Sequence, residues 1–187
     1  MSNITEVKIL DWIQDLEMPK LCLDDLCLDE VTYSVYAHQQ QLVKYVDSYG
    51  RINISISTEE TRTAIKNNQL VKIEGFEKFS PQMLQVCRQL AQTFGHNGPV
   101  TAHVFISPKD STTFHLHTDP DDVIIYVVDG IKVMDILKHT VSEKYTIETG
   151  KVVLIPKHKL HRGINVNSSI MISFGLEDFT QDKLHYA

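Results

Sequence analysis

Hydrophobic residues in the second half of the chain fall into short runs, and turn-forming residues separate those runs. Several runs alternate apolar and polar residues, which is typical of β-strands because successive side chains point to opposite faces. Pro, Gly and Asp cluster at the breaks, which fall at 108–110, 119–121, 129–130 and 149–150. The predicted strands are 100–106, 112–118, 123–128, 131–137, 151–156 and 169–175. Six or more short strands at close spacing predict a sandwich or a barrel.

Helical patterns dominate the chain before Gly95. Apolar residues at helical spacing over 35–49 predict one helix, which ends at the following glycine. Segment 58–68 opens with a Thr cap candidate and two acidic residues, which favour a short helix. The clearest helix spans 81–94, with Ser80 as its N-cap, Pro at its first position and an apolar stripe along one face.

Together the two halves predict one mainly β domain with N-terminal helices. A length of 187 residues suits a single domain with a sizeable core. We expect residues 1–98 to supply helical elements that pack on a barrel formed by residues 99–187. No internal repeat and no low-complexity linker separates these parts.

Composition and charge narrow the functional classes. A formal net charge of −6 argues against a general affinity for the nucleic-acid backbone, which requires a basic surface. The chain does not begin with a basic stretch followed by an apolar run, and no apolar run approaches the roughly 20 residues of a membrane span. An odd number of cysteines (Cys22, Cys27 and Cys87) predicts free thiols in a reducing compartment. We therefore expect a soluble, cytoplasmic protein without a membrane partner.

Candidate chemistry is concentrated in segment 112–119. Strand alternation would place Thr113, His115, His117 and Asp119 on one face and apolar residues on the opposite face. Side chains at i and i+2 stand about 7 Å apart and can lean together, so two histidines and an aspartate at this spacing can converge on a metal ion. The segment therefore predicts a metal site.

Two residues further along the chain extend this prediction. His161 follows a turn and an apolar strand, and it is the candidate for a third ligand. Two imidazoles and one carboxylate suit Fe(II), and they leave coordination positions open. Lys132 alternates with apolar neighbours on the strand after His117 and Asp119. It is either an exposed edge residue or an inward charge that needs an anion.

The order of these motifs resembles that of the Jumonji-C-like, cupin-fold 2-oxoglutarate oxygenases, and it is closest to their ribosomal-oxygenase and asparaginyl-hydroxylase branch. The resemblance covers about residues 100 to 176. The matching segments are FISP (105–108), HTD (117–119), VIIYVV (123–128), GIK (130–132), IPKHKLH (155–161) and SIMISF (169–174). It implies a double-stranded β-helix (jelly-roll, cupin-like) barrel that carries N-terminal helices.

The resemblance also implies the roles of the candidate site residues. His117, Asp119 and His161 would hold Fe(II), and Lys132 would bind the distal carboxylate of the cosubstrate 2-oxoglutarate. The implied reaction consumes O2, converts 2-oxoglutarate to succinate and CO2, and hydroxylates or demethylates a substrate. That substrate is a peptide side chain, a small metabolite or a nucleobase, and N-terminal helices in this fold are compatible with a homodimer.

Four further positions correspond to the family with less regularity. His103 and Ser173 match inward polar positions that line the cosubstrate pocket. Phe105 stands where the family often has a tyrosine, so a hydroxyl group is lost. His158 replaces the glycine of the family's proline run, which is tolerated if that turn avoids a positive φ angle.

Two other functions remain open from the sequence. The older cupin signature would combine His115, His117, His161 and Asp121 into a site for Mn, Fe, Ni or Zn, typical of an isomerase or of a dioxygenase without cosubstrate. Lys132 and the choice between Asp119 and Asp121 distinguish this alternative. The same barrel can also serve as a binding module without catalysis, because a fold does not by itself determine function.

Overall fold

The computed structural model describes residues 4–12, 16–18, 21, 33–37, 40–42, 45–46, 52–53, 58–78, 80–111, 114–138 and 140–178. Its strands are β1 (Lys8–Asp11), β2 (Tyr33–Ala37), β3 (Gln40–Leu42), β4 (Tyr45–Val46), β5 (Ile52–Asn53), β6 (Leu70–Ile73), β7 (Val100–Ser107), β8 (Asp122–Lys138), β9 (Val141–Glu148), β10 (Lys151–Ile155), β11 (His161–Ile164) and β12 (Ser169–Leu176). Its helices are α1 (Thr58–Lys66) and α2 (Pro81–Thr93), with a 3-10 turn at Phe76–Lys78. No helix within these ranges is long and apolar enough to cross a membrane.

The strands pair antiparallel. Most of them form a main sheet and a smaller second sheet that both include β8, and β4 pairs separately with β5. The main sheet has the order β1-β10-β8-β12-β7-β6-β2-β3, whereas β9 and β11 pair with the second half of β8. Ile125 and Met171 of the main sheet join Met134, Ile136 and Ile147 of the second sheet in one buried apolar cluster. The two sheets therefore pack face to face, and the predicted mainly β, jelly-roll fold is confirmed.

Alternation along β7 separates the outer core from the interior of the barrel. Ala102 and Val104 pack in a second apolar cluster with residues of helix α2, on the outer face of the main sheet. His103 and Phe105 point the other way and line a cavity between the sheets. Helix α2 thus covers the outside of the sheet and leaves its inner face available for a site.

Both predicted helices from the middle of the chain are confirmed. In α2, Ser80 Oγ accepts a hydrogen bond from the Met83 N–H at 3.2 Å, as expected of an N-cap, and Pro81 occupies the first turn. The chain leaves the helix through Gly95, whose φ of 58° is readily adopted by glycine. The helix predicted over 58–68 is α1.

The helix predicted over 35–49 is wrong for the residues that the structure describes. β2, β3 and β4 lie in this region, and β2 pairs with β6 to extend the main sheet. The sequence from Tyr33 to Val35 alternates aromatic, polar and β-branched residues, which is a two-residue period. Pairing with β6 favours that period over the wider helical spacing. Residues 47–50, which include the predicted end of the helix, lie outside the described residues.

The break predicted at 129–130 is also wrong, because β8 continues from Asp122 to Lys138. Gly130 lies within β8 with a φ of 80° and pairs with Ser169. The β12–β8 register shifts nearby, between Ile170, which pairs with Asp129, and Met171, which pairs with Val127. This irregularity bends β8, so that one strand serves both sheets. Strand β9 was not among the predicted strands.

The first described strand is attached to the barrel by Trp12. β1 pairs with β10, and the Trp12 N–H donates a hydrogen bond to the Gly150 carbonyl oxygen at 3.2 Å. The Trp12 ring centroid lies 4.4 Å from that of Tyr126 and 6.2 Å from that of Phe174. These rings belong to the outer cluster, on the side of the sheet opposite the cavity.

Candidate functional site

A cavity of about 350 Å³ lies between the two sheets. Its wall is partly apolar and includes five titratable groups predicted from the sequence to form the site. The predicted site residues that line it are His103, His117, Asp119, Lys132, His161 and Ser173. All six therefore face one space, although they come from widely separated parts of the chain.

His117, Asp119 and His161 each offer a ligand atom, and these three atoms lie within 4.8 Å of one another. The Nε2 atom of His161 is 3.4 Å from Asp119 Oδ2, and the Nε2 atom of His117 is 3.9 Å from Asp119 Oδ1. Two imidazole nitrogens and a carboxylate at these separations match the donor set and the compactness of a divalent metal site. His161 is almost fully buried, whereas the His117 side chain is 41% exposed.

Backbone carbonyl groups orient both imidazoles. His117 Nδ1 donates a hydrogen bond to the His115 carbonyl oxygen at 2.7 Å, and His161 Nδ1 donates to the Lys159 carbonyl oxygen at 2.8 Å. A proton held on Nδ1 leaves the lone pair on Nε2 available to a metal ion. The rings are therefore arranged for coordination through Nε2 on the side that faces Asp119.

The Asp119 and His161 side chains stabilise each other's charged forms. Burial acts to raise the pKa of Asp119, but the hydrogen bond with His161 and the nearby imidazoles outweigh it, so the pKa lies below its usual range. Burial acts to lower the pKa of His161, but the hydrogen bond with Asp119 and the Lys159 carbonyl group raise it overall. The carboxylate thus remains ionised in a partly buried position.

The segment that carries His117 and Asp119 is not the predicted strand over 112–118. Residues 114–118 form no strand, and the pairing consists of a single bridge in which His117 and His161 exchange backbone hydrogen bonds of 3.0 and 2.8 Å. The Asp119 carbonyl oxygen accepts its hydrogen bond from the His158 N–H in the turn before β11, at 2.8 Å. This bond diverts the chain from the ladder, and Pro120 has no N–H with which to continue it.

The predicted division of this segment into two faces is therefore wrong. Phe114 lines the cavity together with His117 and Asp119, although alternation had placed it on the opposite face. The His115 side chain is exposed and is not part of the cavity wall. Asp121 does line the cavity, but its Oδ1 accepts a hydrogen bond from the Asp178 N–H at 3.1 Å. The structure thus does not bring the three-histidine set of the older cupin signature together.

His158 lies in the turn before β11 with a φ of 60°, so the expectation that this turn avoids a positive φ is wrong. Histidine is among the residues that adopt this conformation more often than most, at a cost in free energy that glycine does not have. The turn nevertheless retains the backbone hydrogen bond to Asp119 described above.

Lys132 points inward and is only 2% exposed. Its Nζ donates hydrogen bonds to Asn165 Oδ1 and, at 3.5 Å, to Ser107 Oγ. Both acceptors are neutral, and no carboxylate in the described part of the chain pairs with this ammonium group. Burial lowers the pKa of Lys132 to about 8. The charge therefore lacks a counter-ion in the cavity wall, which is the arrangement expected of an anion-binding group.

His103 and Ser173 are opposite each other on β7 and β12, and both line the cavity. His103 Nδ1 accepts a hydrogen bond from the Gly75 N–H at 3.2 Å. Burial, together with the charge of Lys72, lowers the pKa of His103 to about 4. The ring is neutral at pH 7, and since Nδ1 is an acceptor, its proton is on Nε2. His103 thus offers one fixed N–H donor.

No protein-family model matches the sequence, and no curated protein matches it either. Among solved structures, YcfD, a ribosomal oxygenase from Escherichia coli, aligns with 96% of this chain at a TM-score of 0.63 and 14% identity. The complex of YcfD with cobalt and 2-oxoglutarate aligns with a TM-score of 0.65 and 14% identity, again over 96% of this chain. The chain has the fold of these oxygenases.

This similarity confirms the predicted resemblance at the level of the fold. The chain spans about half the length of the YcfD structures, 49% and 50% in the two alignments. YcfD has also been solved with cobalt and succinic acid. Those ligands belong to YcfD.

Proposed function

We propose that the protein is an Fe(II)- and 2-oxoglutarate-dependent oxygenase. The observation that carries this proposal is one cavity that holds both a compact His-Asp-His group and a buried lysine that pairs with no carboxylate among the described residues. A cluster of metal ligands alone fits many enzymes. An additional inward ammonium group favours a metal-binding cosubstrate that carries a second, remote negative charge. The YcfD complex with cobalt and 2-oxoglutarate, on the same fold, supports this combination.

The donor set fits the proposed metal ion. His117, Asp119 and His161 would bind Fe(II), and three protein ligands leave positions for a cosubstrate and O2. When bound, iron and 2-oxoglutarate supply oxidative chemistry in which decarboxylation to succinate and CO2 is coupled to transfer of one oxygen atom from O2 to a substrate C–H bond. Hydroxylation is the direct outcome, and demethylation follows where the hydroxylated carbon is an N-methyl group.

The remaining residues of the cavity bind, orient and exclude water. Lys132 would attract the distal carboxylate of 2-oxoglutarate as a point charge in a desolvated pocket. His103 Nε2–H and the Ser173 hydroxyl group would donate hydrogen bonds in the cavity. Phe105 and Phe114, whose ring centroids lie 5.8 Å apart, close its apolar side. O2 is the second co-reactant, and the cytoplasm is the proposed location because its reducing conditions keep thiols such as Cys87 free.

Binding of metal and cosubstrate tests this function directly. We expect the purified protein to bind one Co(II) or, under anaerobic conditions, one Fe(II), and then to bind 2-oxoglutarate in calorimetry. With Fe(II) and O2 it should release succinate. Asp119→Ala and His161→Ala should each weaken metal binding by about 100-fold or more, because a ligand is lost. His115→Ala is the matched control and should retain full metal affinity.

Three results would contradict the proposal. The metal site is wrong if Asp119→Ala binds Co(II) as tightly as the unaltered protein. A loss of metal binding in His115→Ala would instead favour the three-histidine cupin alternative. If the metal-loaded protein does not bind 2-oxoglutarate, the oxygenase proposal fails, and a non-catalytic binding module becomes the better reading. Turnover without substrate can be slow, so binding is the decisive measurement.

A further inference from the structure

The segment that begins at His161 places three alternate residues in the cavity wall. His161, Gly163 and Asn165 all line the cavity, as expected for positions i, i+2 and i+4 of an extended chain. His161 belongs to the metal-ligand group described above. Gly163 and Asn165 have no role in that group, and both lie next to Lys132.

Gly163 provides the space through which the Lys132 side chain passes. A Cβ atom at Gly163 would lie 2.8 Å from Lys132 Cε and 3.1 Å from Lys132 Nζ, which is too close for either contact. This close approach follows from the β11–β8 register. Gly163 pairs with Met134 and Ile164 pairs with Val133, so Gly163 lies beside the part of β8 that carries Lys132. Glycine within a strand often marks such a close approach.

Asn165 fixes the position of the ammonium group without cancelling its charge. The residue is 3% exposed, and its Oδ1 accepts the hydrogen bond from Lys132 Nζ. Its Nδ2 donates to Ser111 Oγ at 2.9 Å and to the Ser111 carbonyl oxygen at 3.4 Å. The Ser111 contacts orient the amide so that its oxygen faces the ammonium group. The reversed orientation would place the two N–H donors of the amide against that group. An ammonium group has three N–H donors, and Asn165 and Ser107 take two of them.

We propose that Gly163 and Asn165 are positioning residues that hold the Lys132 ammonium group charged and aimed at the distal carboxylate of a dicarboxylic 2-oxoacid. This inference rests on the proposed function. A neutral amide at 165 leaves the full positive charge for the ligand, whereas a carboxylate there would form an internal ion pair and compete with it. The segment from His161 to Asn165 thereby links the metal end of the cosubstrate site to its anion-binding end.

Asn165→Asp tests the inference with almost no change in shape. In the presence of Co(II), we expect the affinity for 2-oxoglutarate to fall by about 30-fold or more, since a charge-assisted contact is lost. The affinity for 2-oxobutyrate, which lacks the distal carboxylate, should change by less than about threefold. Co(II) affinity should be unchanged. Asn167→Asp is the matched control, because it introduces the same charge at an exposed position two residues further on.

Gly163→Ala provides a second variant that does not depend on a buried new charge. The added methyl group would be too close only to the flexible end of Lys132, since its next contact, Met134 Sδ at 3.8 Å, is at an ordinary distance. We therefore expect the lysine tip to move and the fold to be retained. We expect about tenfold weaker binding of 2-oxoglutarate, again with unchanged binding of 2-oxobutyrate and Co(II).

The outcomes separate this inference from the proposed function. If the unaltered, Co(II)-loaded protein fails to bind 2-oxoglutarate, the proposed function fails and this inference fails with it. If that protein binds 2-oxoglutarate and both variants bind it equally well, only the positioning role is overturned. Equal losses for 2-oxoglutarate and 2-oxobutyrate would also overturn it, since they indicate a general structural effect. If Asn165→Asp does not fold, the Gly163→Ala measurements decide alone.

Discussion

A buried ammonium group without a carboxylate partner is costly, because water stabilises its charge better than neutral oxygen atoms do. Lys132 nevertheless lines the cavity, and its Nζ donates hydrogen bonds to Asn165 and Ser107. A lysine on the surface would not have this cost, and a lysine in a buried ion pair would already be neutralised by its partner. The observed arrangement leaves a positive charge for a ligand to use, and it makes ligand affinity sensitive to the protonation of one residue.

We expect the affinity for 2-oxoglutarate to decrease as the pH rises through about 8. Burial lowers the pKa of Lys132 to about 8, so the group is charged below this pH and increasingly neutral above it. The bound dianion favours the charged form, and binding therefore weakens by up to about tenfold per pH unit above the pKa. Calorimetry with Co(II) from about pH 6.5 to 9.5 measures this dependence. In Lys132→Met the affinity should be low and lack this decline, and a flat profile for the unaltered protein would contradict the role of Lys132.

For single residues, the sequence was sufficient to identify the candidate site residues but not the residues that contact them in the fold. The spacing of His117 and Asp119, together with the later His161, predicted a cluster that the structure does bring together. Lys132 could be read as inward only through the family resemblance, since lysine is usually exposed. Asn165 lies 33 positions from Lys132 in sequence. Only tertiary packing, which no local pattern records, brings these two side chains into contact.

At the level of strands and helices, the irregular segment before β8 determines where the site residues point. Strand alternation predicted that His115 and His117 share a face, yet the chain makes one bridge to His161 and then turns at Asp119. A hydrogen bond to the turn at His158 replaces the next step of the ladder. Periodicity could not reveal this, because the competing partner comes from a distant turn.

His158→Gly should stabilise the protein by up to about 1 kcal/mol, because glycine adopts the observed φ of 60° without the steric cost of a side chain. The exposed imidazole contributes no cavity contact, so Co(II) affinity should not change. His158→Val should be less stable than the unaltered protein, since β-branched residues are poorly tolerated at positive φ. Urea denaturation measures both effects, and a destabilised His158→Gly variant would refute the assigned strain.

Gly130→Ala should destabilise the protein much more than Gly150→Ala. Both glycines have a φ near 80°, so each substitution strains the backbone by about 1–2 kcal/mol. Only at Gly130 would the new Cβ also clash with the backbone, at 2.2 Å from the Ser168 carbonyl oxygen. A Cβ at Gly150 would have no atom of the described residues within 4 Å apart from those of its chain neighbours. The difference between the two free energies of unfolding should therefore be about 2 kcal/mol or more. Equal losses would mean that the bend in β8 tolerates a side chain.

For the whole molecule, the sequence was sufficient to predict the barrel and less informative about what lies before it. The strands over 100–106, 151–156 and 169–175 correspond to β7, β10 and β12, where continuous burial and turn residues give clear signals. β2, β3 and β4 lie where a helix was predicted over 35–49, because β6 offers a sheet edge with which β2 pairs. The division of the chain at residue 98 and a homodimer remain predictions.

Metal binding should stabilise the entire fold. The ligands come from the segment before β8 and from β11, so a bound ion connects parts of the chain that separate on unfolding. Co(II) at about 100 times its Kd should add about 2.7 kcal/mol, which raises the Tm of a domain of this size by about 5–10 °C. Differential scanning calorimetry measures the shift. Asp119→Ala should show none of it, and an equal shift in that variant would indicate metal binding elsewhere.

Trp12 is the only tryptophan of the chain, and its ring lies against Tyr126 and Phe174 on the face of the sheet opposite the cavity. Its emission therefore reports whether the first strand is seated on β10. A red shift that precedes the loss of circular dichroism during denaturation would identify this strand as the first part to detach. The protein thus contains an intrinsic fluorophore that monitors the pairing of β1 with β10, independently of ligands bound in the cavity on the other face of the sheet.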